Sequence, residues 1–521
     1  MKTGLLCRFM LLFCVSSFSQ SSIIWERTYG GSESDLGKAI TQTTDGGFVF
    51  ISSVKSIDGE VVGNNFYPNL NILSYGVWLV KIDGNGNIVW KKCFNGPKDD
   101  KGYDIIQTND NGFLISTTSK SDAGDFPFHI GSDSFEDIWI FKLNSTGDLE
   151  WNRHYGGGSP DQINSIQQTA DGGFVLAGSV YLYPTQPFTY TSYAGYNYWV
   201  LKLNSSGELE WNRVYGGENF DIAHSIKQTI DGGYIIAGES SSNYGDISNS
   251  VGPFTAAIPN FWIVKIDSVG NIQWDKSLGG SNSDIAFGMD TTIDGGYIIC
   301  GETSSNNTGN ITNYHGNGDA WIIKLNSIGN LEWQKTIGGS NRDSAHMIVK
   351  TADAGYVFVG ETSSSDGDLL GSGVALNFYS WIVKLDANGS IIWQKFPQNC
   401  YHNKFENVVN CNDGSLIAIG DCIVNDLPNV YIAKFSETLS NNELQKKEFI
   451  IYPNPVSKRI YIETDDDNFI SMKVYDSTSR IIKSNIYQNN IDVSDLANGI
   501  YYLEIISKDG TLSYERFIKK N

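Results

Sequence analysis

Leu149-Glu150-Trp151-Asn152-Arg153-His154-Tyr155-Gly156-Gly157 decides how this chain is read, because residues 209–217 repeat it with one substitution and five further segments repeat it more loosely. Its tryptophan belongs to the series Trp25, Trp90, Trp151, Trp211, Trp274, Trp333 and Trp393, with steps of 59 to 65 residues. A second series interleaves with it: Trp78, Trp139, Trp199, Trp262, Trp321 and Trp381, with Tyr431 in the seventh copy. Together they use all 13 tryptophans. A fixed period of this length marks a repeat architecture and supplies seven internally aligned copies.

Overlaying the copies gives four strands. In the third copy these are residues 149–155, 163–169, 174–178 and 198–203. The turn Asp171-Gly172-Gly173 joins the second strand to the third, and a turn over residues 204–207 follows the fourth. Gly-rich Asp turns between alternating β-branched and aromatic runs are hairpin signals. No capped segment of helical period competes with them. Seven units of four strands predict an all-β fold, a seven-bladed β-propeller over residues 21–435, in which radial repetition covers both faces of each sheet. The tryptophans then act as wedges between blades, each indole N–H needing an acceptor. The segments NIVWKKCFNG (87–96) and ELEWNRVYGG (208–217) resemble the tryptophan-docking strands of quinoprotein-type propellers. That resemblance implies the fold and no cofactor.

The chain has 521 residues, 40% of them hydrophobic, with 55 glycines and 12 prolines, a composition for many short strands and tight turns. Its 37 basic and 58 acidic residues give a net charge of −21, which repels phosphate backbones and argues against a nucleic-acid partner. Residues 1–20 read as a signal peptide: Lys2 and Arg8 precede a short apolar run, and Ser17 and Ser19 offer a cleavage site. No transmembrane segment is expected. Of the five cysteines beyond the leader, Cys400, Cys411 and Cys422 cluster in the seventh copy, where one disulfide would pin the last unit, and their pairing stays open.

After residue 435 the period breaks. Residues 436–448 form a polar linker, and residues 449–521 show short alternating strands at 449–452, 460–463, 471–475, 500–506 and 512–518, the pattern of a small immunoglobulin-like β-sandwich. Tyr452-Pro453-Asn454-Pro455, then VYD at 474–476, then LANGIYYLEI at 496–505 with Gly499 and Tyr501, then Lys519 and Lys520 appear in order. These elements resemble the type A C-terminal sorting domain of type IX secretion substrates. Where that family has glycine after VYD, this chain has Ser477-Thr478-Ser479-Arg480. The resemblance implies export to the periplasm, then passage by the type IX secretion machinery to the outer surface of a Gram-negative bacterium or beyond, with residues 436–448 as the processing region. The DGG and WVVKL-like repeats resemble those of large secreted proteins that carry this domain.

Residues present in every copy build the copy. Asp35, Asp100, Asp161, Asp221, Asp284 and Asp343, with Asn403 in the seventh position, read as loop caps. The fourth-strand lysines, Lys81, Lys142, Lys202, Lys265, Lys324, Lys384 and Lys434, are expected to pair with them. Positions that vary are freer to meet a ligand. Three residues after each aspartate stand Lys38, Tyr103, Asn164, His224, Phe287, His346 and Glu406, a candidate ring that includes the ligand candidates His224 and His346. The third-copy loop adds Tyr190, Tyr193 and Tyr196, suited to a carbohydrate or protein ligand. Acidic loop pairs such as Asp58 and Glu60, or Asp366 and Asp368, suggest calcium as the one candidate cofactor, with no metal signature behind it. No catalytic motif appears. The expected function is an exported binding or adhesion module, with a polysaccharide-degrading propeller and a purely structural surface protein as alternatives.

Overall fold

The computed structural model describes residues 23–61, 63–64, 74–129, 135–157, 159–182, 195–248, 250–251, 258–369, 378–397, 401–436, 450–463, 469–476, 481–486, 490–507 and 512–520. The proposed leader and nearly all of the linker lie outside these residues. The chain divides into two compact units, Met1–Thr438 and Leu439–Asn521.

The first unit is all-β and contains seven four-stranded antiparallel sheets. The first sheet orders Asp35–Gln42, Phe48–Val54, Gly76–Ile82 and Ile88–Phe94 side by side. Five more follow the same plan, opening with Asp100–Gln107, Asp161–Gln168, Asp221–Gln228, Asp284–Thr291 and Asp343–Lys350. The tryptophan strand that opens each sequence repeat is therefore the last strand of the preceding sheet. Local chemistry explains the offset. Residues 204–207 make a tight hairpin that pairs Lys202 with Trp211, whereas the Gly156 to Asp161 stretch carries the chain on to a new sheet. The seventh sheet then lacks a fourth strand within its own sequence, and Ile23–Tyr29 supplies it by pairing antiparallel with Leu427–Ser436.

Opening strands of successive sheets lie against one another, and Tyr401–Asn410 of the seventh lies against Asp35–Gln42 of the first. The Gly37 N–H donates to Asp421 Oδ1 across that junction at 2.7 Å. The second and third strands are almost wholly buried. Trp78, Trp139, Trp262, Trp321, Trp381 and Tyr431 are among the largest fully or nearly fully buried side chains. Trp262, Trp321 and Trp381 donate their indole N–H to Asp275, Gln334 and Gln394 at 3.1, 2.9 and 3.1 Å. The other series caps the next sheet: Trp151 covers Gly207, whose φ is +76° and where a Cβ would stand 2.6 Å from the indole. Only glycine meets both demands there.

The aspartates that open the strands are buried caps. Asp221, for example, accepts the Gly217 N–H at 2.8 Å and the Ser242 hydroxyl at 3.0 Å. The expected pairing with the repeated lysines is corrected. The lysines instead reach the aspartate of the Asp-Gly-Gly turn, or of its Asp-Asn-Gly, Asp-Ala-Gly and Asp-Gly-Ser counterparts, with Lys81 to Asp45 at 2.6 Å, Lys202 to Asp171 at 3.0 Å and Lys434 to Asp413 at 2.8 Å, and Lys142, Lys265, Lys324 and Lys384 doing the same. Register is the reason. Lys202 lies opposite Val175, beside the Asp171 turn, while Asp161 lies opposite Val180 at the far end of the sheet. Cys422 is disulfide-bonded, and Cys93, Cys300 and Cys411 are free thiols.

In the second unit, Ile450–Tyr452, Arg459–Glu463 and Asn490–Asp492 form one sheet. Ile481–Ile486, Phe469–Asp476, Gly499–Ser507 and Leu512–Lys519 form another. Strands 481–486 and 490–492 were not legible as alternating runs. Val456, Ile460, Met472, Val474, Leu503 and Phe517 belong to one shared core. The two ends of the sorting signature meet: Asn454 Oδ1 accepts the Ile518 N–H at 2.9 Å, and the Lys520 N–H donates to the Val456 carbonyl at 2.9 Å. Tyr501 stacks on Phe517 and donates its hydroxyl to the Ala497 carbonyl at 2.9 Å. Tyr452, Pro453 and Pro455 are exposed, Gly499 opens its strand, and Lys519 is buried.

Candidate functional site

All seven opening strands slip register by one residue at the same place. The slips fall between Gly37 and Ala39, Gly102 and Asp104, Ile163 and Ser165, Ala223 and Ser225, Ala286 and Gly288, Ala345 and Met347, and Phe405 and Asn407. The residues passed over are Lys38, Tyr103, Asn164, His224, Phe287, His346 and Glu406. Such a β-bulge frees one residue from the ladder and re-aims its side chain. All seven line one cavity of about 580 Å³. The structure thus gathers the variable ring, including His224 and His346, into one place.

The ring has an aromatic arc and a charged arc. Phe287 makes edge contacts with His224 and His346, each at 5.7 Å between ring centres. His346 Nδ1 donates to the Phe405 carbonyl at 2.8 Å, which fixes that ring's orientation. Asn164 donates to the Ala223 carbonyl of the next sheet at 2.8 Å and accepts from Gln162. On the other side, Lys38 and Lys404 both approach Glu406 Oε1, at 3.5 and 2.5 Å. Burial opposes the Glu406 charge, but Lys38, His346 and Lys404 outweigh it and hold the carboxyl at about 2. Arg342 is forked onto Glu302 at 2.9 and 2.8 Å and touches Glu361 at 3.1 Å.

Asp104 also lines the cavity, and burial pushes its carboxyl up to about 6 although the Ile166 and Ile105 N–H groups donate to it at 2.9 and 2.8 Å. Ile166 belongs to the next sheet, so Asp104 is an inter-sheet clamp. Asp290 repeats the device with the N–H groups of Thr291 and Lys350, at 2.7 and 3.0 Å.

Tyr190 and Tyr193 lie outside the described residues. Tyr196 packs against Tyr181 and Phe220, with ring centres 5.1 and 5.9 Å away, and is not part of the cavity lining. Oxygens of the acidic loops meet main-chain amides: Asp58 accepts from Ser32 at 2.8 Å, Glu60 from Gly30 at 2.9 Å, Asp366 from Ser340 at 2.7 Å and Asp368 from Gly338 at 3.2 Å. Among the described residues, no group of three or more His, Cys, Asp or Glu is placed to hold a metal ion. Sequence reading missed Lys404, Arg342 and Glu361, whose roles depend on neighbouring sheets. The one available signal was the seventh copy, where Glu406 is the single acidic residue of its column and Lys404 stands two residues before it.

The WD40 domain of Pan2 from Neurospora crassa is 9% identical, with 81% of this chain and 97% of that one covered at a TM-score of 0.46. A protein of unknown function from Dyadobacter fermentans is 8% identical, with 80% and 99% covered at 0.41. Sqt1 from Chaetomium thermophilum is 10% identical, with 80% and 99% covered at 0.41. Likeness this faint adds nothing to the strand topology. No curated protein matches the chain. Among the described residues no helix is long and apolar enough to cross a membrane. Residues 450–520 match the family described as the secretion system C-terminal sorting domain. Propeller-like four-stranded repeats are thus followed by the C-terminal sorting domain of a type IX secretion substrate.

Proposed function

We propose that the seven sheets are the blades of one closed propeller, exported by the type IX machinery, and that it serves at the cell surface or outside the cell as a binding module. The tail is read as an immunoglobulin-like sandwich, residues 1–20 as the signal peptide, and residues 436–448 as the processing segment. The observation that carries the binding reading is the ring of seven bulge residues around one cavity, since the residues that differ between copies are the ones aimed into it. A cavity of this size suits a small ligand or the tip of a larger one. The enzymatic alternative draws less support. Of the cavity carboxylates, Asp104 has both oxygens engaged by main-chain N–H groups, Glu406 is tied to lysines and Glu361 to Arg342.

The test is a screen of the purified full chain against glycans and surface proteins, with and without calcium. It is run beside His224→Ala/His346→Ala and Tyr196→Ala. Binding that disappears in the double histidine variant and persists in Tyr196→Ala supports the cavity. The opposite pattern moves the site to the third-repeat loop, and a screen with no hits removes the binding reading.

A further inference from the structure

The charges in the cavity are already spent on one another. Its cations are Lys38, Lys227, Arg342 and Lys404. Its carboxylates are Asp104, Glu361 and Glu406, and Glu302, which holds the Arg342 fork, makes the tally four against four. Lys38 and Lys404 share one Glu406 oxygen, and the field of Lys227 falls on Asp104. An ionic ligand would have to compete with the Glu406 and Arg342 contacts, breaking a pair or standing unpaired in a confined space. The uncharged lining is different in kind. Tyr103, Asn164, Gln162, Ser165, Ser225 and Asn407 are neutral polar groups, and Asn407 Oδ1 is a buried oxygen that no donor among the described residues reaches. Across from them stands the Phe287 ring between two imidazoles. An aromatic face beside several neutral polar groups complements a body with C–H on one side and hydroxyls around its edge.

We infer that the cavity takes an uncharged sugar, the end of a neutral oligosaccharide, and discriminates against its acidic counterparts. Phe287 supplies the apolar face, and Tyr103 and the Asn407 amide supply hydroxyl partners. The inference rests on the cavity's being the binding site and goes further by naming the ligand class.

The experiment is calorimetric titration of the full chain with neutral trisaccharides of glucose, mannose and galactose, and with trigalacturonate as the acidic counterpart of the last. At least one neutral trisaccharide should bind about tenfold or more tightly than trigalacturonate, which corresponds to one unpaired charge at modest cost. Raising salt from about 0.05 to 0.5 M should leave that affinity unchanged, because no ion pair forms on binding. Phe287→Ala should weaken it about tenfold or more, and Tyr103→Phe, a milder variant that retains the ring, by about threefold to tenfold. Glu406→Gln leaves Lys38 and Lys404 without their anion, so it should raise trigalacturonate affinity relative to that of the neutral sugar. Melting curves of each variant separate lost binding from lost folding. Preference for the acidic sugar, abolished in Phe287→Ala, would overturn the neutral class and leave the cavity standing. Binding that none of the three variants alters would overturn the cavity reading itself, and no binding of any trisaccharide would overturn the sugar inference while leaving a protein ligand.

Discussion

Six of the seven repeats carry two aspartates whose ionisation the fold drives in opposite directions. Lys81 and the Thr43 hydroxyl hold Asp45 at about 2. In Asp171 and Asp413 burial opposes the charge, but hydroxyl, lysine and amide partners outweigh it and again hold the carboxyl at about 2. The strand-opening series goes the other way: burial lifts Asp100, Asp161 and Asp221 to about 7 and Asp284 to about 6, against the pull of amides and, in all but Asp161, hydroxyls. A depressed carboxyl contributes stability above its unfolded value of about 4 and loses it as pH falls towards 2. A raised carboxyl favours the fold below about 4, and that contribution is lost as pH climbs through 6 and 7. The melting temperature should therefore peak at about pH 4 and decline on both flanks. Asp161→Asn, neutral at every pH, should flatten the alkaline decline. A melting temperature that rises steadily from pH 5 to 8 would contradict the buried-acid account.

At the scale of elements, the strand with the largest consequence is the one furthest in sequence from its sheet. Ile23–Tyr29 completes the seventh sheet through Val430 to Phe435, and it also grips the first sheet, with Trp25 Nε1 donating to the Gly84 carbonyl at 3.1 Å and the Tyr29 hydroxyl to the Gly86 carbonyl at 2.7 Å. Removing residues 23–29 leaves Leu427–Ser436 as an open edge and cuts both ties. Exposed edges of that kind pair with other chains. Such a truncation is expected to aggregate by light scattering and to melt well below the intact protein. A truncated chain that stays monodisperse with an unchanged melting temperature would show that the seventh sheet does not depend on this strand. The seven bulges are the other consequential elements. They cost a ladder pair in each opening strand and return a side chain aimed at the cavity.

For the molecule as a whole, the second unit has an apolar cluster of its own, which runs from Val456 to Phe517. The sorting signature is a single structural unit although its pieces lie over 60 residues apart in sequence, because Asn454 caps the Ile518 amide. Asn454→Ala removes that acceptor beside the C-terminal strand. It should lower the amount of chain reaching the medium or cell surface and leave it in the periplasm, measured by fractionating cells and blotting, while the melting of the first unit stays as it was. Normal secretion of this variant would separate the signature's export role from this contact.

The sequence by itself determined what is local and periodic. Hairpin turns, alternating strands, the tryptophan stride and the sorting signature all depend on residues near one another in the chain, and seven copies repeat the message. It also exposed the cavity ring as a variable column, because each bulge residue holds a fixed distance from its aspartate. What only the tertiary structure decided is non-local. The offset of sheet from repeat and the borrowing of Ile23–Tyr29 follow from pairing across more than 400 residues, as in Tyr29 against Val430. The lysines chose the aspartate turn because register, which the spacing of residues does not reveal, places Lys202 at that end of the sheet. Lys38 meets Glu406 for the same reason: packing of strand Tyr401–Asn410 against Asp35–Gln42 converts separation along the chain into contact, and charges that neutralise one another there are invisible until those strands meet.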